Sequence, residues 1–539
     1  MNVISKALIT CAFVLWSLTT HAQDAGTEDL HAIAQELGSV SLSKMPKVLE
    51  RLVAAGGDSI VPLADALLAG DLYVDADSKS LVIATAAGGD RFTVRDALDG
   101  TEVGEQTKSN LKKVRVTNKV RVQLRDIIAR MTLLAKDPEV RKKAVKNILQ
   151  RPDDESVALL REAVLSESNQ EVADLQWVVI GLYDLQNSED PTVQLQALGH
   201  FEGSVEPEVR NALQALVDSD AAAAPEIRRK AKSLLAEIDS KIAFYEFLET
   251  LFFGLSLGSV LLLVATGLAI TFGVMGVINM AHGELIMLGA YTTYVVQLLM
   301  PDHIGLSILV AIPAAFIVSA LVGVLIERGV IRFLHGRPLE TLLATFGISL
   351  VLQQAVRSIF SPLNRQVSTP DWMSGSLEIN AIFSITYNRL YVLIFALLVF
   401  VALQLILKKT SLGLHVRAVS QNRNMARSLG IRTEWVDAMT FGLGSGIAGL
   451  AGVALSQLTN VGPNLGQAYI IDSFMVVVFG GVGNLWGTLV GGFTLGIANK
   501  FLEPATGAVL AKILVLVFII LFIQKWPRGL FPQKGRAAE

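Results

Sequence analysis

Polar side chains are sparse in the second half of this 539-residue chain, and they collect where glycine interrupts apolar runs. One interruption reads Gly276-Val277-Ile278-Asn279-Met280-Ala281-His282-Gly283-Glu284, the other Gly481-Val482-Gly483-Asn484-Leu485-Trp486-Gly487. A carboxamide both donates and accepts, so Asn279 and Asn484 suit recognition of an amide-like solute. They suit equally the bonding of backbone freed at a helix break, and both readings stand. His282 and Glu284 open a new apolar run. Glu284 reads first as a first-turn carboxylate stabilised by a helix N-terminus, and otherwise as a pathway group. Gln353 and Gln354 lie inside another run, where an unpaired amide is costly, so at least one must face protein or a pathway. The pathway candidates are therefore Asn279, His282, Glu284, Gln353 and Asn484.

Covalent chemistry finds no foothold. The sequence has no Gly-x-x-x-x-Gly-Lys-[Ser/Thr] phosphate loop, no Gly-x-Ser-x-Gly elbow and no histidine pair at helical metal-binding spacing. The expectation is a protein with no catalytic residue, no metal and no cofactor of its own. The apolar runs carry few charges, mainly Glu284 and Asp472, fewer than a proton- or sodium-driven carrier would bury. That favours a conduit for a small neutral or zwitterionic solute, gated by something else.

The elements that position these residues fall in two regimes. Residues 1–246 hold 28 Lys+Arg and 37 Asp+Glu, whereas residues 247–539 hold 18 and 12. The second part is built of apolar runs near the length of ~20 residues that crosses a hydrocarbon core. A purely soluble enzyme is excluded, and no basic tract suits nucleic acid. Nine spans are expected, near 248–272, 283–300, 306–326, 339–359, 390–407, 438–458, 469–482, 484–500 and 508–525. Arginine and lysine concentrate in 327–338, in 408–437 and in the tail after 525, which places those segments and the C-terminus in the cytoplasm. Within 408–437, Gln421 to Gly430 reads as a short helix stopped by glycine, with Met425, Ala426 and Leu429 forming one apolar stripe. Its arginines also suit contact with anionic membrane lipid.

Residues 1–22 read as a signal peptide, with Lys6 before an apolar stretch and Thr20-His21-Ala22 as the cleavage site. The only cysteine, Cys11, lies inside it. Residues 23–245 then form an exported domain. Short strands are expected over 72–125, at 81–84, 92–94, 114–116 and 120–122. Helical repeats are expected over 137–242, where Pro138, Pro191, Pro207 and Pro225 each open an apolar period in a manner resembling HEAT repeats.

Four ordered blocks carry a family resemblance: VINMAHGELIMLGAY at 277–291, RPLETLLATFGISL at 337–350, KKTSLGLHVRAVSQNRNMARSLGIRTEWVDAMTFGLGSGIAGLAG at 408–452, and the stretch from Ile470 to Pro532 containing VFGGVGNLWGT. Together they resemble the membrane subunits of branched-chain amino acid-type ABC importers. The long exported extension, with the VFGGVGNLWGT wording, resembles the permease subunit of urea importers within that family. The resemblance implies an all-α polytopic permease domain of eight to nine spans over 248–532, preceded by a mixed, mainly helical exported domain and followed by a cytoplasmic tail at 533–539. It implies a bacterial inner-membrane location, with a second permease subunit, two cytoplasmic ATPases that bind the ATP, and a periplasmic solute-binding protein as partners. By the same resemblance Asn422, Arg423, Met425, Ala426, Leu429 and Gly430 form the segment that couples to the ATPase. The solute implied is urea, with branched-chain amino acids as the alternative. A stand-alone urea or amide channel, and a receptor with an exported sensing solenoid, are rivals of other classes.

Overall fold

A computed structural model describes residues 30–531 apart from 41–43, 57–59, 77, 89–90, 134 and 219–223. The expected signal peptide at 1–22 and the tail at 533–539 lie outside the described residues. The chain divides into two compact units, one up to Asp239 and one from Ser240.

The first unit starts with α1 (30–39), α2 (Met45–Gly56) and α3 (Val61–Ala69), followed by β1 (Leu72–Asp75), β2 (Leu81–Gly88), β3 (Arg91–Asp96), β4 (Glu102–Thr107) and β5 (Leu111–Lys113). The strands form one antiparallel sheet in the order β4-β3-β2-β1-β5, with Ala84 opposite Val94. Two of the expected strands are absent: 114–116 is irregular, and 120–122 belongs to α4 (Asn118–Leu133). The Val-Arg-Val alternation there is too short to outweigh a four-residue period. Val120 and Leu124 are buried with Leu63, Leu67 and Leu72, and Ile128 packs against the same core, so the apolar face is helical.

Five helices follow: α5 (Pro138–Leu149), α6 (Asp154–Ser166), α7 (Gln170–Asn187), α8 (Pro191–Gly199) and α9 (Pro207–Asp218). The prolines stand at first positions, where a missing N–H costs nothing, and Pro225 opens the next helix in the same way. The Asp137 and Asp190 carboxylates accept from the backbone N–H groups of Glu139 and Thr192, capping α5 and α8.

That next helix, α10 (Pro225–Met275), contains the boundary between the units. The second unit continues with α11 (His282–Leu299), α12 (Ile304–Gly329), α13 (Pro338–Phe360), α14 (Tyr387–Lys409), α15 (Ser411–Gln421), α16 (Arg423–Ser428), α17 (Thr433–Ser456), α18 (Gln467–Gly480), α19 (Leu485–Thr506) and α20 (Ala508–Lys525). All nine expected apolar runs are helical. Among the described residues, however, only α10, α12, α13, α14, α17 and α20 are long and apolar enough to cross a membrane. The other three expected spans, carried by α11, α18 and α19, are helical but fall short of that measure of length and apolarity. Helix α18 has only 14 residues, and α11 spends part of its length on His282, Glu284 and Gln297.

Burial separates the six. The most apolar windows of α10 and α17 are 83% and 89% buried, against 17% to 28% for α12, α13, α14 and α20. The central helices therefore meet protein on nearly all sides, while the outer ones turn apolar faces outward, as lipid or a membrane partner requires. Close approach at the centre depends on glycine: a Cβ on Gly449 of α17 would lie 2.6 Å from the Ala315 carbonyl oxygen of α12, and one on Gly289 of α11 would overlap the backbone of Gly449.

Candidate functional site

The α10–α11 break is built by a glycine and held by a neighbouring helix. Gly276, at φ +67°, takes the chain out of α10. The segment then runs without helix to His282, and its Met280 N–H donates to Thr345 Oγ1 of α13 at 3.1 Å. Asn279 is buried; its Oδ1 accepts from Ala281 N–H at 3.0 Å, while its Nδ2 has no partner among the described residues. His282 is wholly buried, with Nε2 3.1 Å from the Val264 carbonyl oxygen. A carbonyl only accepts, so Nε2 carries the proton and Nδ1 is left as an unpartnered acceptor.

Glu284 occupies the first turn of α11, as its sequence position indicated, and it also joins two helices. Its Oε1 accepts from Ser349 Oγ at 2.9 Å and from Gln353 Nε2 at 2.7 Å, both on α13, while Oε2 has no partner among the described residues. Gln353 is the buried member of its pair and Gln354 is exposed. Gln353 also ends a buried row in which Thr341, Thr345, Ser349 and Gln353 recur every fourth residue. At 1.5 Å rise per residue this polar row extends about 18 Å along α13. Seven residues beyond Glu284, on the same face of α11, the buried Tyr291 hydroxyl is again unpartnered.

Break two resembles break one in sequence and differs in its bonds. Asn484 caps α19: its Oδ1 accepts from Trp486 N–H at 3.0 Å and Gly487 N–H at 3.3 Å, and its Nδ2 donates to the Phe531 carbonyl at 3.2 Å. Both ends of its carboxamide are committed to backbone, so Asn484 bonds the backbone freed at the break. It also lines a pocket of about 450 Å³ with Gly273, Gln404, Lys408 and Arg417. Elsewhere the N-terminus of α18 meets that of α11, for a Cβ on Gly283 would lie 2.9 Å from the Gly466 carbonyl carbon.

The segment between α14 and α17 is helical, as expected, and Asn422 and Gly430 shape it. Asn422 Oδ1 accepts from Met425 N–H at 2.9 Å, and Gly430 closes the turn at φ +88°. The expected three-residue stripe is corrected. Met425 and Leu429 are 58% and 73% exposed, but Ala426 is 3% exposed and packs with Val416, Val419 and Val436. Residues four apart share a helix face, while the residue after Met425 points about 100° away. The exposed apolar pair is therefore Met425 with Leu429. Arg423 turns inward and donates from both guanidinium ends to Asp437 in the first turns of α17, Nη1 to Oδ1 at 3.3 Å. Partial desolvation, followed by the nearby Arg423 guanidinium, holds the exposed His335 below the ordinary imidazole range.

Sequence reasoning missed Thr345, Ser349 and Asp437. The four-residue period ending at Gln353 could have revealed the first two. Asp437 had no local signal, since its partner lies fourteen residues away across a turn.

Comparison with known proteins places this arrangement. The family described as branched-chain amino acid transport system permease component matches residues 250–523. The high-affinity branched-chain amino acid transport system permease protein BraD of Pseudomonas aeruginosa is 31% identical over 297 residues, covering 53% of this chain and 96% of BraD. The permease protein LivH of Escherichia coli, of the same printed description, is 30% identical over 298 residues, 53% of this chain and 96% of LivH. A shorter stretch of 113 residues is 34% identical to the ribose import permease protein RbsC of Bacillus subtilis, covering 20% of this chain and 35% of that protein. No solved structure matches. With six membrane-length apolar helices, a glycine-built polar break and a family match over half its length, this chain belongs to the branched-chain amino acid transport system permease component family.

Proposed function

We propose that this chain is the solute-conducting subunit of an ABC importer and that its solute is urea. The observation that carries the solute reading is the break before α11, where Asn279 Nδ2 is a buried donor and Glu284 Oε2 and His282 Nδ1 are buried acceptors, all unpartnered among the described residues. A flat molecule with four N–H donors and one carbonyl oxygen answers both kinds of group, and burial makes unanswered groups costly. The polar row Thr341, Thr345, Ser349 and Gln353 supports a route along α13. Asn484 enters the route as the residue that holds break two in shape.

In this reading a second permease subunit completes the pathway, a periplasmic protein delivers solute, and two cytoplasmic ATPases bind ATP and seat Met425 and Leu429 in an apolar groove. Residues 23–245 form an exported, HEAT-like domain that binds a partner or stiffens the assembly, and the tail lies in the cytoplasm of a bacterial inner-membrane protein. Alkaline phosphatase fused after residue 240 is then active, and fused after Pro532 inactive; an active tail fusion reverses the orientation.

The relatives favour a second solute reading, because BraD and LivH are described as branched-chain amino acid permeases. Uptake of radiolabelled urea and of leucine, in a strain lacking this chain and complemented with it, separates the two. Complementation restores urea uptake on the first reading. Restored leucine uptake with unchanged urea uptake replaces it with the second.

A further inference from the structure

We infer that the Arg423–Asp437 ion pair is the mechanical link by which the cytoplasmic segment moves α17 and, through it, the polar break before α11. The inference rests on the importer reading and adds to it the part that transmits force.

Three observations carry it. The pair is bidentate, with each guanidinium end donating to one carboxylate oxygen, and it is sheltered: the Asp437 side chain is 5% exposed and that of Arg423 28%. Among the described residues no other cation bonds Asp437. A bidentate guanidinium–carboxylate pair fixes angle as well as distance, which a single contact does not.

The second observation is that the pair sits on a rigid block. Val416 of α15, Ala426 of α16 and Val436 of α17 pack in one buried cluster with Val419, so displacement of the exposed Met425 and Leu429 cannot be absorbed by slack beneath them.

The third concerns what lies at the far end. Helix α17 is buried along nearly its whole length, and its glycines bring it to backbone contact with three helices: Gly444 with Gly267 of α10, Gly449 with Gly289 of α11 and Ala315 of α12. Gly289 stands five residues from Glu284. A shift of the cytoplasmic end of α17 has no room to dissipate and must displace the start of α11, where the unpartnered groups of Asn279 and Glu284 lie. Other charges at this end are engaged elsewhere: Arg332 pairs with Glu434 at 3.0 Å, and Arg328 lies 3.7 Å from the buried Glu327 and over the Trp435 ring at 5.3 Å. Arg427 of α16 also reaches α17, its Nη2 donating to Thr433 Oγ1 at 3.4 Å, but among the described residues only Arg423 bonds the buried carboxylate.

The test uses the assembled complex with its ATPases, reconstituted in vesicles, reading ATP hydrolysis and uptake of radiolabelled urea and leucine together. Arg423→Gln and Asp437→Asn are expected to assemble and hydrolyse ATP, while uptake per ATP falls by about tenfold, a coupling loss of ordinary size. The reversed pair, Arg423→Asp with Asp437→Arg, recovers most of the ratio. Uptake and hydrolysis falling in equal proportion would make the pair a structural staple and overturn the link, as would a reversed pair that recovers nothing. If the single variants do not assemble, Arg423→Lys decides: it keeps the charge and loses the fork, so an intermediate ratio supports the link and an unchanged ratio refutes it. A wild-type complex that moves neither solute with ATP would refute the importer reading itself, an outcome distinct from loss of coupling in the variants alone.

Discussion

Glu284→Gln separates the solute readings and tests whether the α10–α11 break is part of the route at all. The substitution conserves size, and its remaining oxygen can still accept from Ser349 Oγ and Gln353 Nε2, the bonds that join α11 to α13. What changes is the second oxygen: an unpartnered acceptor becomes an N–H donor. An amino acid presents an ammonium to that position, and losing a charge-assisted bond costs about 1.5–3 kcal/mol, on the order of ten- to a hundredfold in transport at low solute. Urea presents a neutral N–H or, turned over, a carbonyl that the new donor can serve. Its loss is about 1 kcal/mol or less, roughly fivefold.

The assay is the initial rate of uptake below saturation, for urea and for leucine, normalised to ATP hydrolysis and to assembled complex. On the urea reading, urea uptake falls measurably, by no more than about fivefold. Where leucine is the solute, its uptake collapses. Unchanged uptake of whichever solute the wild type moves would return Glu284 to a first-turn carboxylate that only packs α11 on α13. Glu284→Ala is the control for packing. It strands the Ser349 and Gln353 donors in a buried site at about 1–3 kcal/mol and is expected to reduce the yield of assembled complex, which Glu284→Gln does not.

Met425→Asp and Leu429→Asp place charge on the exposed pair and are expected to uncouple hydrolysis from uptake with normal assembly, whereas Ala426→Asp buries an unpaired charge among Val416, Val419 and Val436 and lowers folded yield; uptake per ATP and gel filtration distinguish them. Asn484→Ala removes the α19 cap and should lower stability by about 1 kcal/mol, seen as a lower melting temperature with the urea-to-leucine preference unchanged. In the first unit, Arg141 grips Glu167 through two bonds, at 2.6 Å and 2.8 Å, and these chiefly hold the Glu167 carboxyl below its ordinary 4.5. A depressed folded-state value gives stability that is complete above the unfolded value and lost as pH falls through the folded one. The melting difference between wild type and Glu167→Gln is therefore expected to shrink steadily below pH 4.5; a difference constant with pH would refute the contribution.

What could be read from the sequence follows the range of the interactions involved. The proline-opened helices were legible because Asp137 and Asp190 act on backbone two residues away. The helical segment at 423–428 was legible for the same reason, since Asn422 caps it and Gly430 ends it. Where rotation about a helix axis mattered, local reasoning failed: Ala426 was grouped with Met425 and Leu429 on apolarity, and only packing against α15 and α17 shows it turned inward. Thr345 and Ser349 escaped because hydroxyls are common in membrane helices and bond their own backbone, as Thr345 does to the Leu342 carbonyl at 3.0 Å. Their use by Met280 and Glu284 is a contact across 65 residues in each case. The strands expected at 114–116 and 120–122 failed differently, because a three-residue alternation competes poorly with a helical face that buries Val120 and Leu124.

The two breaks show how similar wording yields different chemistry. At break two the residue after Asn484 is already the first of α19, so the carboxamide meets the free N–H groups of that helix directly and is consumed as a cap. At break one Asn279 stands three residues before α11; its oxygen closes a local turn on Ala281, and its nitrogen finds no backbone to serve. The contrast extends five residues on, where break one has Glu284 and break two has Leu489. Of the two breaks, only the first has, among the described residues, both a buried carboxyl and a carboxamide with an unpartnered nitrogen. The glycine that frees the chain is common to both, Gly276 at φ +67° and Gly481 at φ +101°, because both must turn out of a helix. The repeated wording supplies the bend twice and the unpartnered polar groups once, and on the proposed reading the start of α11 meets the solute while break two holds the shape.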